Sequence, residues 1–176
     1  MALHVADYII LRDAALREDG EPMLDEQGNP MTGWADFRLL SVEDQDWVFR
    51  GGALPIQEKA LTFNFPRHAV ISEAVILSYE LAPRPMRDRD GDDVLDVEYE
   101  ILVNGPHLVR RHRVASETHR DLWARVNLWA RVNGRWLLGD PSQNTLVFRE
   151  SQNTLRVGAC RFSKIILWFQ RGVAEP

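Results

Sequence analysis

Cysteine is almost absent from this chain. Cys160 stands alone, so no disulfide can close within the sequence and nothing asks for an oxidising compartment. Lysine is scarce as well: 19 of the 21 bases are arginine and 2 are lysine. No apolar run approaches the roughly 18 residues that cross a bilayer as a helix, so membrane insertion is not expected. The opening MALHVADYIILRDAALREDG has no basic n-region and meets Asp7 early, which argues against a secretory signal. There is no GxSxG, no P-loop, no Rossmann glycine fingerprint and no HExxH. A cytoplasmic or particle-internal location fits these absences.

What is present is ordinary material for one domain over residues 1–176, 45% apolar and 27% charged. The net charge of -5 conceals a split. Residues 1–100 hold 21 acids and 9 bases, whereas residues 101–176 hold 5 acids and 12 bases. Two readings follow: the halves neutralise each other inside one fold, or they form opposed faces used in assembly or anion binding. Nucleic acid is disfavoured, because the chain is acidic overall and has no dense basic stripe.

Short alternating runs separated by Gly, Pro, Asn and Asp dominate the pattern. ALTFNF (60–65) alternates, and Val75, Leu77, Tyr79 and Leu81 share one face of a strand. Residues 13–33 carry acids, glycines and prolines with little periodic pattern, and read as a long loop or a mobile arm. DVLDVEYEILV and PHLVRRHRV flank Asn104-Gly105, a dipeptide suited to a tight hairpin. Folded there, Ile101 faces Leu108, Leu95 faces Val114, Glu98 faces Arg111 and Asp96 faces Arg113, so opposite charges meet. Pro106 beside the turn leaves room for a longer loop.

LWARVNLWARVN (122–133) repeats six residues without a break. As a strand it places Leu122, Ala124, Val126, Leu128, Ala130 and Val132 on one face and Trp123, Arg125, Trp129 and Arg131 on the other. Asn133-Gly134 then offers a second hairpin, with Ala130 against Leu137 and Arg131 against Trp136. The helical alternative has a capping-box-like Thr118 and Asp121 and a stop at Gly134. SQNTLVFRE and SQNTLRVGA repeat with an odd period of nine, so a turn or bulge near residues 150–153 must separate them. Ile165 to Phe169 are too apolar for an exposed edge, which predicts a central strand or a subunit contact through Trp168 and Phe169. Residues 171–176 read as a tail.

The chemistry-bearing residues are few. Asp88, Asp90 and Asp92 have calcium-loop spacing but not the EF-hand order, and read as a solvated hairpin tip. His4, His68, His107, His112 and His119 show no ligand spacing, so neither a metal nor any other cofactor is expected. His112, on the apolar side of the hairpin, and Glu73, inside an apolar strand, are the weak candidates for acid–base work; the blander readings are a core histidine and a solvent-facing strand break. Cys160 reads as a small buried side chain.

The expectation is an all-β, antiparallel sandwich or jelly roll of about eight to ten strands, with a β-barrel holding an internal cavity as the alternative. A non-catalytic subunit that binds itself or another protein fits best, with a structural role within its scope. A carbohydrate or small-ligand module using Trp123, Arg125, Trp129, Arg131 and Trp136 is the second reading. A cavity enzyme using Glu73 and His112 is the third.

Overall fold

The most apolar stretch of the chain becomes its central strand. The computed structural model describes residues 3–17, 19–40, 55–72, 74–116, 121–151 and 157–173. In chain order its strands are β1 (Leu3–Ile10), β2 (Arg12–Ala14), β3 (Thr32–Trp34), β4 (Phe37–Leu40) and β5 (Pro55–Ile56). Then come β6 (Glu58–Phe63), β7 (Ala69–Val70), β8 (Val75–Arg84), β9 (Met86–Arg87) and β10 (Asp93–Val94). The last are β11 (Asp96–Val103), β12 (His107–Ala115), β13 (Val126–Val132), β14 (Asn144–Glu150) and β15 (Ala159–Val173). They build a sandwich. A seven-stranded sheet runs β13-β8-β15-β4-β5, with β1 and β7 also paired to β15, and a four-stranded sheet runs β12-β11-β14-β6. Both sheets are open, with β13 at an edge of one and β12 and β6 at the edges of the other. The barrel alternative is therefore set aside in favour of the sandwich.

Alternation decides the layers. Val75, Leu77, Tyr79 and Leu81 of β8, Phe162, Leu167 and Phe169 of β15, Val97, Tyr99 and Ile101 of β11, and Leu146 and Phe148 of β14 all face inwards and are buried. Phe162 is the hub, with ring centroids 4.8 Å from Tyr99, 5.1 Å from Phe148 and 5.5 Å from Phe37. Two buried hydroxyls cross this layer: Tyr79 and Tyr99 share a 2.6 Å hydrogen bond, and the Tyr99 hydroxyl lies 2.9 Å from His112 Nδ1. Burial pushes both phenols above their ordinary range, so they remain neutral partners for one another.

The 95–115 hairpin forms with a register two residues from the expected one. Glu98 faces Arg113, Glu100 faces Arg111 and Val97 faces Val114. Two offsets add. The turn takes three residues, Asn104 (φ 45°), Gly105 (φ 96°) and Pro106, because Pro106 has no N–H to offer a ladder. A bulge between Ile101 and Leu102 supplies the second step. Beyond the bulge the offset is even and side chains keep their expected faces, so opposite charges still meet; between bulge and turn it is odd, and Leu108, expected against Ile101, turns outwards opposite Leu102. Glu100 accepts from both Arg111 and Arg149, and Arg113 grips Asp96 through two 2.9 Å bonds.

The hairpin expected at Asn133-Gly134 does not form. β13 pairs with β8, so Arg131 opposes Ile76 instead of Trp136. Asn133 accepts from the Arg135 N–H and caps a 3-10 turn over Gly134–Trp136. Gly134 sits against Ile71, where an added Cβ would stand 2.0 Å from the carbonyl oxygen. The repeat is thus a strand over residues 126–132, and the helical alternative is set aside for that part; Thr118 lies outside the described residues.

The charge split resolves into internal neutralisation. Asp7–Arg171, Asp36–Arg161, Glu80–Lys164, Asp96–Arg113 and Glu100–Arg149 each join an acid of the first hundred residues to a base of the rest. Burial alone would raise the Glu100 carboxyl, but the hydrogen bonds and charges of Arg111 and Arg149 outweigh it and hold it below its usual value. A carboxylate depressed in the folded state contributes stability above its unfolded pKa and loses it as pH falls through the folded value. Glu100→Gln is therefore expected to lower the melting temperature at pH 7 and to flatten its decline below about pH 4.3; thermal melts from pH 7 to 3 check this. Phe162→Ala is expected to cost about 3–5 kcal/mol in chemical denaturation, as for a large core side chain that leaves a cavity.

Candidate binding face

The outer face of the seven-stranded sheet gathers residues that lie far apart in sequence. Cross-strand register sets a line Arg131–Ile76–Trp168–Tyr8, running from β13 through β8 and β15 to β1. A second line, Trp129–Ser78–Ile166–Ile10, runs beside it. Directly opposed residues on a sheet are side-chain neighbours. Together they make an aromatic and aliphatic platform about 15 Å across three strand spacings. Trp129, Tyr8 and Trp168 are 65%, 53% and 40% exposed, although sheet faces that meet water are usually polar. The platform is ordered: Trp168 Nε1 donates to Ser78 Oγ at 2.7 Å, and the Tyr8 and Trp168 rings lie 5.3 Å apart.

The platform continues into a cleft of about 280 Å³ lined by Trp34, Asp36, Glu80, Arg125, Arg161 and Lys164, among others. Its charges engage one another. Glu80 takes Lys164 at 3.0 Å and Arg125 at 3.7 Å, and Arg161 grips Asp36 with two donors. The hydrogen bond to Asp36 raises the Arg161 pKa, while burial, followed by the charges of neighbouring arginines, lowers those of Arg38 and Arg84 on the same face. The cleft itself is lined by Arg125, Arg161 and Lys164 with the carboxylates of Asp36 and Glu80 set among them.

The expected Trp/Arg row is divided by the fold. Arg125, Trp129 and Arg131 lie on this face. Trp123 turns to the end of the sandwich, where its Nε1 donates to Asp93 at 2.9 Å. Trp136 leaves the row and stacks on His107 with centroids 5.0 Å apart. Of the expected contact pair, Trp168 faces out and Phe169 is buried against Phe65. His112 holds Tyr99, and Glu73 lies outside the described residues. Burial drives the Cys160 thiol far above its usual pKa. Asp88 caps its own turn, accepting from the N–H groups of Asp90 and Asp92. Among the described residues no three His, Cys, Asp or Glu side chains converge as metal ligands.

Neither protein-family models nor curated proteins give a match to this sequence. Among solved structures, latent PorU from Porphyromonas gingivalis is similar at a TM-score of 0.45 and 10% identity, over 66% of this chain and 10% of that one. The insecticidal delta-endotoxin Cry8Ea1 from Bacillus thuringiensis is similar at 0.36 and 12%, over 65% and 18%. The GH115 4-O-methyl-alpha-glucuronidase BtGH115A is similar at 0.31 and 19%, over 62% and 13%. The matched parts span at most 18% of those chains. The chain is a β-sandwich loosely similar to parts of these proteins, and the likeness does not extend to the activities in their names.

Tyr8 and Ile76 were not singled out in the sequence, where each sits in an ordinary strand pattern. Register across three strands brings them to the platform. A second missed signal is local. ALREDGEP (15–22) is followed by MLDEQGNP (23–30), which repeats Leu, Glu, Gly and Pro at a spacing of eight. Each copy closes a tight turn whose glycine has positive φ, 86° at Gly20 and 81° at Gly28. Three backbone bonds of 2.9 Å then form a ring: Ala15 N–H to Met31, Met31 N–H to Met23, and Met23 N–H to Ala15. The stretch read as a loop or arm, 13–33, is thus a three-pass knob on the β2–β3 stalk. Gly28→Ala is expected to cost about 1 kcal/mol through backbone strain alone, because open space surrounds the site; denaturant titration checks it.

Proposed function

We propose that this chain is a non-catalytic β-sandwich subunit that binds a protein partner, its own copies included, through the outer face of the seven-stranded sheet. The Tyr8–Ile76–Trp168–Trp129 platform carries the reading. Aromatic residues with arginine at the rim suit a protein interface, where burying such side chains contributes most of the affinity. Of the candidate acid–base and thiol groups, His112 and Cys160 are engaged with the core. Light scattering across protein concentration and salt tests the proposal. A dimer or larger particle is expected, and Trp129→Ala with Trp168→Ala should weaken it at least tenfold without lowering the melting temperature by more than a few degrees. A wild-type chain that stays monomeric throughout would remove self-association.

A second reading takes its support from the cleft. Trp34 forms a wall over Asp36, Glu80 and Arg161, an aromatic surface beside charged hydrogen-bonding groups that suits a sugar or another small polar ligand. Tryptophan fluorescence titrated with neutral and acidic sugars separates the two readings: a saturable change lost in Trp34→Ala favours the cleft, and a flat response removes it.

A further inference from the structure

We infer that the platform is occupied by the 15–31 knob of a second copy of this chain; this rests on the proposed partner-binding role of the outer face and names the partner. The knob has the two properties that such a partner needs. It is apolar at its surface: Leu16, Met23, Leu24 and Met31 are 44%, 42%, 56% and 41% exposed. It is also acidic, with five acids and one base over residues 15–31. The platform offers the complements. Its centre is Trp129, Ile76, Trp168 and Tyr8, and its rim holds Arg125, Arg131 and Lys164 around Glu80, with the Asp36–Arg161 pair farther along the cleft.

The charge balance makes the match specific. In the sandwich, five acids of the first hundred residues pair with bases of the rest. The knob stands outside that scheme. Asp19 pairs with Arg17 inside the knob, and among the described residues Glu21 and Asp25 have no basic partner. On the platform side, Arg131 likewise has no acidic partner among the described residues. These unpaired charges are negative on the knob and positive at the rim, each beside exposed apolar side chains, which favours encounter in one orientation.

The size also fits. Three chain passes closed into a ring measure at most about two strand spacings, roughly 10 Å, so the knob fits within a platform about 15 Å wide. The knob is held to the body by the short β2–β3 pair and by an ion pair between Asp13 and Lys59, so it projects from the sheet edge where β1 gives way to β4. Two knobs could fill two platforms about a two-fold axis, or copies could add head to tail.

Complementation tests the assignment. In one variant, residues 15–31 are replaced by Asn-Gly, joining Ala14 to Thr32 in a two-residue turn. The other carries Trp129→Ala and Trp168→Ala. Should the first fail to fold, Leu16→Asp with Leu24→Asp takes its place and keeps the turns intact. By light scattering, each variant alone is expected to be monomeric where the wild type associates, and an equimolar mixture is expected to form a 1:1 complex through the one intact knob and the one intact platform. Association should weaken at least tenfold between 50 and 500 mM salt. If the knobless chain associates like wild type while the platform variant is monomeric, the knob assignment falls and the binding face stands. A mixture that stays monomeric also overturns the knob assignment. If the platform variant itself associates like wild type, both fall.

Discussion

One strand changes partners, and the layout of the larger sheet depends on it. β15 pairs with β8 along one edge from Ala159 to Trp168. On its other edge it meets β4 over Ala159–Phe162 and β1 over Ile166–Val173. The changeover falls at a bulge between Ser163 and Ile166, where Lys164 takes φ 52°. That conformation costs a non-glycine residue about 1–2 kcal/mol, and the Lys164–Glu80 contact at 3.0 Å offsets part of it. The bulge also switches the facing of the strand. Before it, Cys160 and Phe162 point inwards; after it, Ile165, Leu167 and Phe169 do. An uninterrupted strand would drive Trp168 into the core and Phe169 out. The platform exists because of this one inserted step, and the gap between β1 and β4 is where the knob leaves the sheet.

The charge pattern follows from the same topology. Strands from both ends of the chain interleave in each sheet, so an acid-rich first half and an arginine-rich second half meet across strand pairs. Arg111, Arg149 and Glu100 form the best example, three residues from three strands on the outer face of the smaller sheet. Arginine suits this role because one guanidinium can span a carboxylate with two parallel donors, as Arg113 does on Asp96.

Strand existence and facing could be read from the sequence wherever alternation was clean, as in β8, β11 and β13. Register was harder. Asn104-Gly105 announced a hairpin, but neither the extra loop residue at Pro106 nor the bulge had a local signal strong enough to set the pairing. The two copies of LWARVN show where sequence stops being informative: Trp123 ties down to Asp93 outside any strand, and Trp129 stands on a sheet face. Identical hexapeptides differ only in which neighbours the fold supplies. The platform was half legible, through Trp129 and Trp168, and its other half arrives by pairing at long range. The knob's eight-residue repeat stands in the sequence but passed as a loop among glycines, prolines and acids, and the backbone ring that closes it has no local signal.

Solute quenching of the tryptophan emission, measured on the wild-type chain as its concentration is raised, tests the outer face most directly. Trp129 and Trp168 are among the exposed tryptophans, together with Trp34 and Trp123. If the platform is covered by a partner copy, acrylamide quenching falls as the chain associates, in step with the rise in scattered mass. Emission that stays freely quenched from the most dilute to the most concentrated sample, while the mass rises, would contradict the account.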